Sequence, residues 1–326
     1  MYRPTKYNGI SIFIFLLLFG FSFTVTNKAV ASSPGDKVIR IGIIGAENSH
    51  TIGFGRMFNI DKKFPGVRVD YVWGETKEFA EKAAKKGAIP HIVKDQSEML
   101  GKIDALIVDY RHAKYHLDAA LPFIKQGIPV FIDKPFCYRA EKGKKFLETA
   151  RKYHAPVTSY SSLAQSRDLL NRKKQVEQMG KINQVVMYGP VDITSKYGGI
   201  FFYGVHTVQQ MMNLYGEDIQ KVKVNKDGKR ANATILYKNG MMVTLVFSKY
   251  YGWGSFVETE TGFHELKPYV KDDDPGKGYQ DMVEMFRTGK EPRSYQSILN
   301  CVSVLEALEK SVENEQWVDV VYQKID

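Results

Sequence analysis

The side chains of this sequence that could do chemistry fall in a few short segments. The first is Gly45-Ala46-Glu47-Asn48-Ser49-His50. It joins a β-branched apolar run, Val38 to Ile44, to a stretch with Ile52, Phe54, Met57 and Phe58 at helical spacing. Strand, turn and helix in that order leave backbone N–H groups of the helix start at the carboxyl end of the strand, where a pyrophosphate or another anion can sit. Against the dinucleotide fingerprint G-x-G-x-x-G only Gly45 is in place, because Glu47 and His50 stand at the second and third glycine positions. The segment reads either as a nucleotide loop of altered chemistry or as the same turn given to another ligand, with Asn48, Ser49 and His50 capping the helix. Asp109-Tyr110-Arg111-His112 follows the apolar run Ile103 to Val108, and Asp133-Lys134-Pro135 follows Pro129 to Ile132. Carboxylates, imidazoles and cations at the ends of successive strands make a polar, titratable pocket. A metal site built from His50, His112 and His206 lacks any ligand pair at close spacing, so no metal is expected.

The elements that must carry these segments alternate in type. Val67 to Trp73 and Pro156 to Tyr160 read as further strands. Helices are expected over Thr76 to Lys86, around Leu117, Ala120, Leu121 and Ile124, and around Phe146, Leu147 and Ala150. Strands separated by helices imply right-handed crossovers and a parallel sheet, a doubly wound α/β domain over residues 37–160. From about residue 180 the pattern changes. Gln184 to Ile193, Lys221 to Val224, Ala231 to Tyr237, Met241 to Ser248 and Ser255 to Glu260 follow one another through short turns, as in an antiparallel or mixed sheet. One helix over Val205 to Tyr215 interrupts them, and a last helix carries Ile298, Cys301, Val302, Leu305, Leu308 and Val312. The fold class is thus α/β followed by an α+β domain, residues 161–326, with a mostly antiparallel sheet.

Residues 1–31 stand apart as a signal peptide: basic Arg3 and Lys6, an apolar run from Ile10 to Val25, and Ala29-Val30-Ala31 as a small-residue cleavage site. Export by the general secretory route, to the periplasm or outside the cell, is expected, with membrane contact only through this segment if it stays uncleaved. Of 326 residues, 326 less 31 leaves 295, enough for two cores. The formal net charge is +10, and the leader's Arg3, Lys6 and Lys28, with no acids, account for three of it, leaving +7. The excess is spread as single lysines such as Lys82, Lys85 and Lys86, which reads as solvated helix surface and excludes a nucleic-acid stripe. It favours acidic substrates such as uronates. Cys137 and Cys301, the two cysteines, lie in the apolar contexts of buried thiols.

Gly127-Ile128-Pro129-Val130-Phe131-Ile132-Asp133-Lys134-Pro135 resembles the end of the nucleotide domain in the glucose-fructose oxidoreductase / inositol dehydrogenase / MocA (Gfo/Idh/MocA) family, with Asp-Lys-Pro for Glu-Lys-Pro. Gly198 through His206 resembles that family's second-domain glycine-rich turn and helix start, and the similarity continues through Gly289-Lys290 to the closing helix. The resemblance implies a Rossmann-type first domain, a second-domain sheet that is large and open and serves substrate or oligomer contacts, NAD or NADP as cofactor, a small-molecule carbohydrate substrate and a homo-oligomer. It places the proton-handling roles on Lys134 and His206, with Lys134 also reaching the nicotinamide ribose. Gly45, Ala46, Glu47, Asn48, Ser49 and His50 become the cofactor loop.

This chain departs from the family pattern at several of these places. The aspartate four residues before the histidine is Phe202, the acid three after it is Gln209, and Tyr203 is the hydroxyl that could stand in. The acid expected at the end of the second strand falls on Trp73, with Glu75 two residues on as its substitute, and the third-strand turn becomes Asp109 to His112. Asp109, Arg111, His112, Lys134 and His206 are the expected substrate contacts. Three functions follow. The first is an exported oxidoreductase on a sugar or polyol. The second is a non-redox lyase, hydrolase or epimerase on the same fold, with His206, Tyr203, Lys134 and Arg111 as base, acid and cations. The third is a non-catalytic sugar binder using aromatics such as Tyr251 and Trp253. Whether Glu47 and Trp73 fill the crevice separates the first two.

Overall fold

The computed structural model describes residues 38–268, 274 and 276–325. The expected signal peptide lies outside the described residues, and no helix among them is long and apolar enough to cross a membrane.

Strand β1 (Ile39–Ile44) ends at Gly45, whose φ is +108° and where a Cβ would lie 2.6 Å from the Asp109 carbonyl carbon. Glycine is required there on both counts. Helix α1 (Ser49–Gly55) continues as a π-helical turn over Arg56–Ile60, carrying Phe54, Met57 and Phe58 into a core with Ile41, Ile43 and Val69. Then come β2 (Val67–Trp73), α2 (Lys77–Gly87) with Thr76 as its N-cap, β3 (His91–Ile92), β4 (Ala105–Val108) and α3 (His116–Ile124). β5 (Val130–Ile132), α4 (Ala140–Lys152) and β6 (Val157–Thr158) complete the first layer set. The six strands pair in parallel in the order β3-β2-β1-β4-β5-β6. The order reverses between β1 and β4, so their carboxyl ends open a crevice at the switch point.

Helix α5 (Arg167–Glu177) leads to β7 (Ile182–Pro190), α6 (Ile200–Tyr215), β8 (Ile219–Asp227), β9 (Arg230–Tyr237), β10 (Met242–Ser248), β11 (Gly254–Thr259) and β12 (Gly262–Glu265). After α7 (Gln280–Thr288) and α8 (Tyr295–Asn314), β13 (Val318–Asp319) closes a seven-stranded sheet of order β12-β11-β7-β10-β9-β8-β13. Only β7 and β10 run parallel in it. One face is lined by α6 and α8, with Val208, Met211, Leu305 and Leu308 packed into a core with Val224, Ile235 and Leu245. Burying such side chains contributes roughly 1.5–3 kcal/mol each. α7 instead places Met282, Val283 and Met285 in the core with Ile41 and Phe54. Residues of the C-terminal half thus pack onto the first sheet.

Helix α6 starts five residues earlier than the expected Val205, directly after Gly198 and Gly199, both at positive φ. β3, α5, β12, α7 and β13 have no counterpart in the sequence reading. β3 is two residues long, and α5 is largely charged, burying only Leu169 and Arg172. Cys137 and Cys301 are buried free thiols, and burial pushes both up to about 12, which leaves them protonated and inert.

Candidate active site

A cavity of about 340 Å³ opens beyond the carboxyl ends of β1, β4 and β5. Glu47, Asn48, Ser49 and His50 form one wall, Arg111 and Lys134 a second, and Phe202, Tyr203 and His206 of α6 face them. Leu163, Tyr251, Trp253 and Lys82 complete the lining. The expected residues Asn48, Ser49, His50, Arg111, Lys134, Tyr203 and His206 are therefore brought together by the fold. Asp109 and His112 are not in the lining. Asp109 is wholly buried beneath it, and His112 packs on Tyr115 and Tyr138 while its Nδ1 accepts from the Lys114 amide at 3.4 Å. Direct substrate contact by either is not what this geometry offers. Trp73 also lies outside the lining, with its ring 5.7 Å from Tyr110.

Beneath the cavity floor lies a buried hydrogen-bond network. Asn48 Nδ2 donates to Asp109 at 2.8 Å and to Asp133 at 3.4 Å. The Thr51 hydroxyl lies 2.7 Å from the Gly45 carbonyl oxygen and 2.5 Å from Asp109 Oδ2. A hydroxyl has one proton, and a carbonyl only accepts, so both contacts are satisfied when Asp109 carries a proton. Burial and the neighbouring Asp133 charge do push Asp109 well above the usual carboxylate range. Asp133 goes the other way. Burial opposes its ionisation, but His50 and Lys134 outweigh it and hold Asp133 below the usual range. The Asp133 carboxylate accepts from His50 Nδ1 at 3.0 Å and lies 3.6 Å from the Lys134 ammonium. Ligand-type atoms of His50, Asp109 and Asp133 lie within 4.8 Å of one another. With Asn48, Thr51 and Lys134 already on those oxygens, the group is a filled network rather than a metal cage.

Lys134 is only 7 % exposed and precedes Pro135 through a cis peptide bond, with its ammonium 5.7 Å from the Phe202 ring centre. His206 is held at Nδ1 by the Ser161 hydroxyl at 2.6 Å, and the Ser161 amide donates to Gln209 Oε1 at 2.6 Å. Burial, with the Lys134 and His50 charges behind it, drives His206 well below its ordinary range, so it is neutral. Arg111 stacks its guanidinium 4.5 Å from the Tyr197 ring centre and 5.4 Å from that of Phe202.

Glu75 supports the loop in a way the sequence did not show. The amides of Ala46 and Glu47 donate to Glu75 Oε2 at 2.8 and 2.9 Å. Its other oxygen, Oε1, is buried without a hydrogen-bond partner among the described residues. A buried carboxylate oxygen left unmatched costs about 1–3 kcal/mol, which a ribose hydroxyl arriving at the β2 edge would recover. The residues thus fit a dinucleotide at that end: Gly45 for the tight turn, Ala46 and Glu47 amides holding Glu75, and Glu75 as hydroxyl acceptor. At the other end Asn48, Ser49, His50 and Lys134 face the cavity and would border the nicotinamide half. Glu47 departs from the pattern. It lines the cavity, and its carboxylate accepts from the Tyr197 hydroxyl.

The residues the sequence reading missed are Asp133, Thr51 and Ser161, each acting through a neighbour. Asp133 had one signal, its place beside Lys134 in the motif.

A doubly wound domain with a polar crevice at its switch point, faced by a helix from an open mixed sheet, defines the class of a two-domain dinucleotide enzyme. Residues 39–161 match the profile of the oxidoreductase family with an NAD-binding Rossmann fold, GFO_IDH_MocA. It is 29% identical over 138 residues to the uncharacterized oxidoreductase YhhX of Escherichia coli (strain K12), 39% of this chain and 40% of that protein. The matched stretch thus spans well under half the length of that relative. Among solved structures it is similar to myo-inositol dehydrogenase from Lactobacillus casei in complex with NAD(H) and myo-inositol, with a TM-score of 0.74 and 16% identity, covering 89% of this chain and 98% of that one. It is also similar to the WlbA dehydrogenase from Bordetella pertussis in complex with NADH and UDP-GlcNAcA, with a TM-score of 0.72 and 16% identity, covering 87% and 99%. At these identities the likeness shows the fold.

Proposed function

We propose that this protein is a nicotinamide-dependent oxidoreductase that oxidises a hydroxyl of a sugar, polyol or sugar-derived acid. The observation that carries the reading is the Glu75 carboxylate, held by two loop amides with one buried oxygen unmatched. The dinucleotide, when bound, supplies the hydride acceptor. Lys134 and His206 would hold the substrate hydroxyl between an ammonium and a neutral imidazole, and Tyr203 would add a hydroxyl contact. Arg111, stacked on two rings and without a carboxylate partner among the described residues, favours a substrate carrying a carboxylate.

Glu75 also sets the cofactor. A carboxylate accepts a free ribose hydroxyl and repels a 2′-phosphate, so NAD is preferred over NADP. Glu75→Ala is expected to weaken NAD binding about 10- to 100-fold, the roughly 1.5–3 kcal/mol of hydrogen bonds to a charged group. Calorimetric titration checks this, and unchanged affinity would remove Glu75 from the site.

One observation favours a second reading, a non-redox carbohydrate-processing enzyme: Glu47 sits at the fingerprint's second glycine position and is tied to Tyr197 beside the cavity. A chain that binds no dinucleotide but acts on glycosides would follow it.

Export is proposed on the leader sequence alone, and self-association on the exposed Tyr188, Met242, Val246 and Phe263 along one sheet face. Intact and native mass spectrometry of the protein from its source would show a chain starting at Ser32 and a multiple of its mass. An uncleaved Met1 start or a monomer would contradict the respective reading.

A further inference from the structure

We propose that the proton acceptor for the substrate hydroxyl is His50, oriented by Asp133. The inference rests on the oxidoreductase reading and names a residue within that site. The resemblance places the proton on His206, but the surroundings of the two imidazoles differ. His206 is 6 % exposed, its Nδ1 is occupied by Ser161, and no carboxylate among the described residues contacts its ring. Becoming an imidazolium there would put an unmatched charge beside Lys134 in a buried wall.

His50 has what His206 lacks. Its Nδ1 lies 3.0 Å from Asp133 Oδ2, and Asp133 is buried to 2 % side-chain exposure, while the His50 ring is 31% exposed and lines the cavity. An ionised carboxylate at Nδ1 assigns the ring proton to that nitrogen. When the ring is unprotonated at Nε2, that nitrogen is a lone-pair acceptor with no partner among the described residues. Asp133 is in turn fixed by Asn48 and Lys134, so its position does not depend on His50. This is the orientation and charge compensation by which a carboxylate prepares an imidazole to take a proton.

With the dinucleotide bound to supply the hydride acceptor, the substrate carbon would lose its hydrogen as hydride, the hydroxyl oxygen would give its proton to His50 Nε2, and the C–O bond would become a carbonyl. The substrate would leave as ketone or aldehyde, the cofactor in its two-electron-reduced form, and Asp133 would offset the imidazolium charge on His50. Lys134 holds the oxygen throughout. His50 is the catalytic residue and Asp133 a positioning residue.

Histidine-selective acylation with diethyl pyrocarbonate, read by peptide mass spectrometry, tests the pair without any substrate. His50 should be acylated readily and His206 not, and at alkaline pH, where the ring is unprotonated with and without the carboxylate, Asp133→Asn should slow acylation of His50 several-fold. An unlabelled His50, or a rate unaffected by Asp133→Asn, overturns the proposal. The kinetic arm uses NAD with myo-inositol, D-glucose and D-glucuronate as probes. His50→Gln should lower kcat about 10²- to 10⁴-fold, and added imidazole should restore part of the rate to His50→Ala. Asp133→Asn should lower kcat and leave KM. Retained turnover in His50→Gln defeats the proposal while the oxidoreductase reading stands. Absence of NAD binding in the unsubstituted protein defeats that reading, and acylation still judges the dyad.

Discussion

Lys134→Met is expected to lower kcat/KM by roughly 10²- to 10⁴-fold while the protein keeps its fold. Lys134 is the one buried ammonium among the residues lining the cavity, and it stands between Asp133 and the Phe202 ring. A developing alkoxide needs a cation that is already aimed at it, because a preorganised charge in a water-poor wall does not have to reorient. Methionine has a similar length and apolar stem, so packing survives while the charge is lost. Asp133 retains the imidazole of His50 and the Asn48 amide. Steady-state kinetics beside circular dichroism checks both halves of the expectation. Turnover within a factor of three of the unsubstituted protein would place the chemistry elsewhere.

Asp133→Ala is expected to be the most destabilising change in the site, by about 3–5 kcal/mol. It removes a carboxylate that a buried lysine, a histidine and an amide all depend on. The loss corresponds to a fall in Tm of roughly 5–15 °C, measured by calorimetry. The pH dependence has a definite sign. Asp133 is held below its ordinary range, so its contribution is present above that range and is lost as pH falls through its folded value. Asp109 is pushed above, so its contribution is present at low pH and is lost as pH rises through its folded value. The intact pair therefore has an acid and an alkaline limb of stability, and Asp133→Ala should flatten the acid one. A variant with unchanged Tm and pH profile would mean that Asp133 is not the hub of the network.

The parallel, doubly wound sheet of the first domain and the ends of β2 were legible, because β-branched runs bounded by glycine and charge and separated by helical segments have one structural reading. Lys134 and His206 were legible through motif and neighbouring turn. The pairing of His50 with Asp133 was not, because it joins residues 83 positions apart whose contact exists only once β1 and β5 flank β4 in one sheet. Glu75 was expected at the ribose, yet its use of the Ala46 and Glu47 amides depends on a loop conformation set by Gly45, which residue spacing does not express. His112 was expected in the site because it follows β4, but the turn closes into a short 3₁₀ segment that points the ring at Tyr138. The early start of α6 carried Phe202 and Tyr203 into the lining as a helix face rather than as a loop.

This crevice is expected to bind a nicotinamide dinucleotide through Glu75 and the Gly45 loop. Isothermal titration of the purified protein with NAD and, separately, NADP tests it most directly. Saturable one-site binding of NAD is expected, with affinity for NADP lower by at least about tenfold, the equivalent of roughly 1.4 kcal/mol. No binding of either at millimolar concentration would contradict it and leave Glu47 and Tyr197 as the walls of a site for a different ligand.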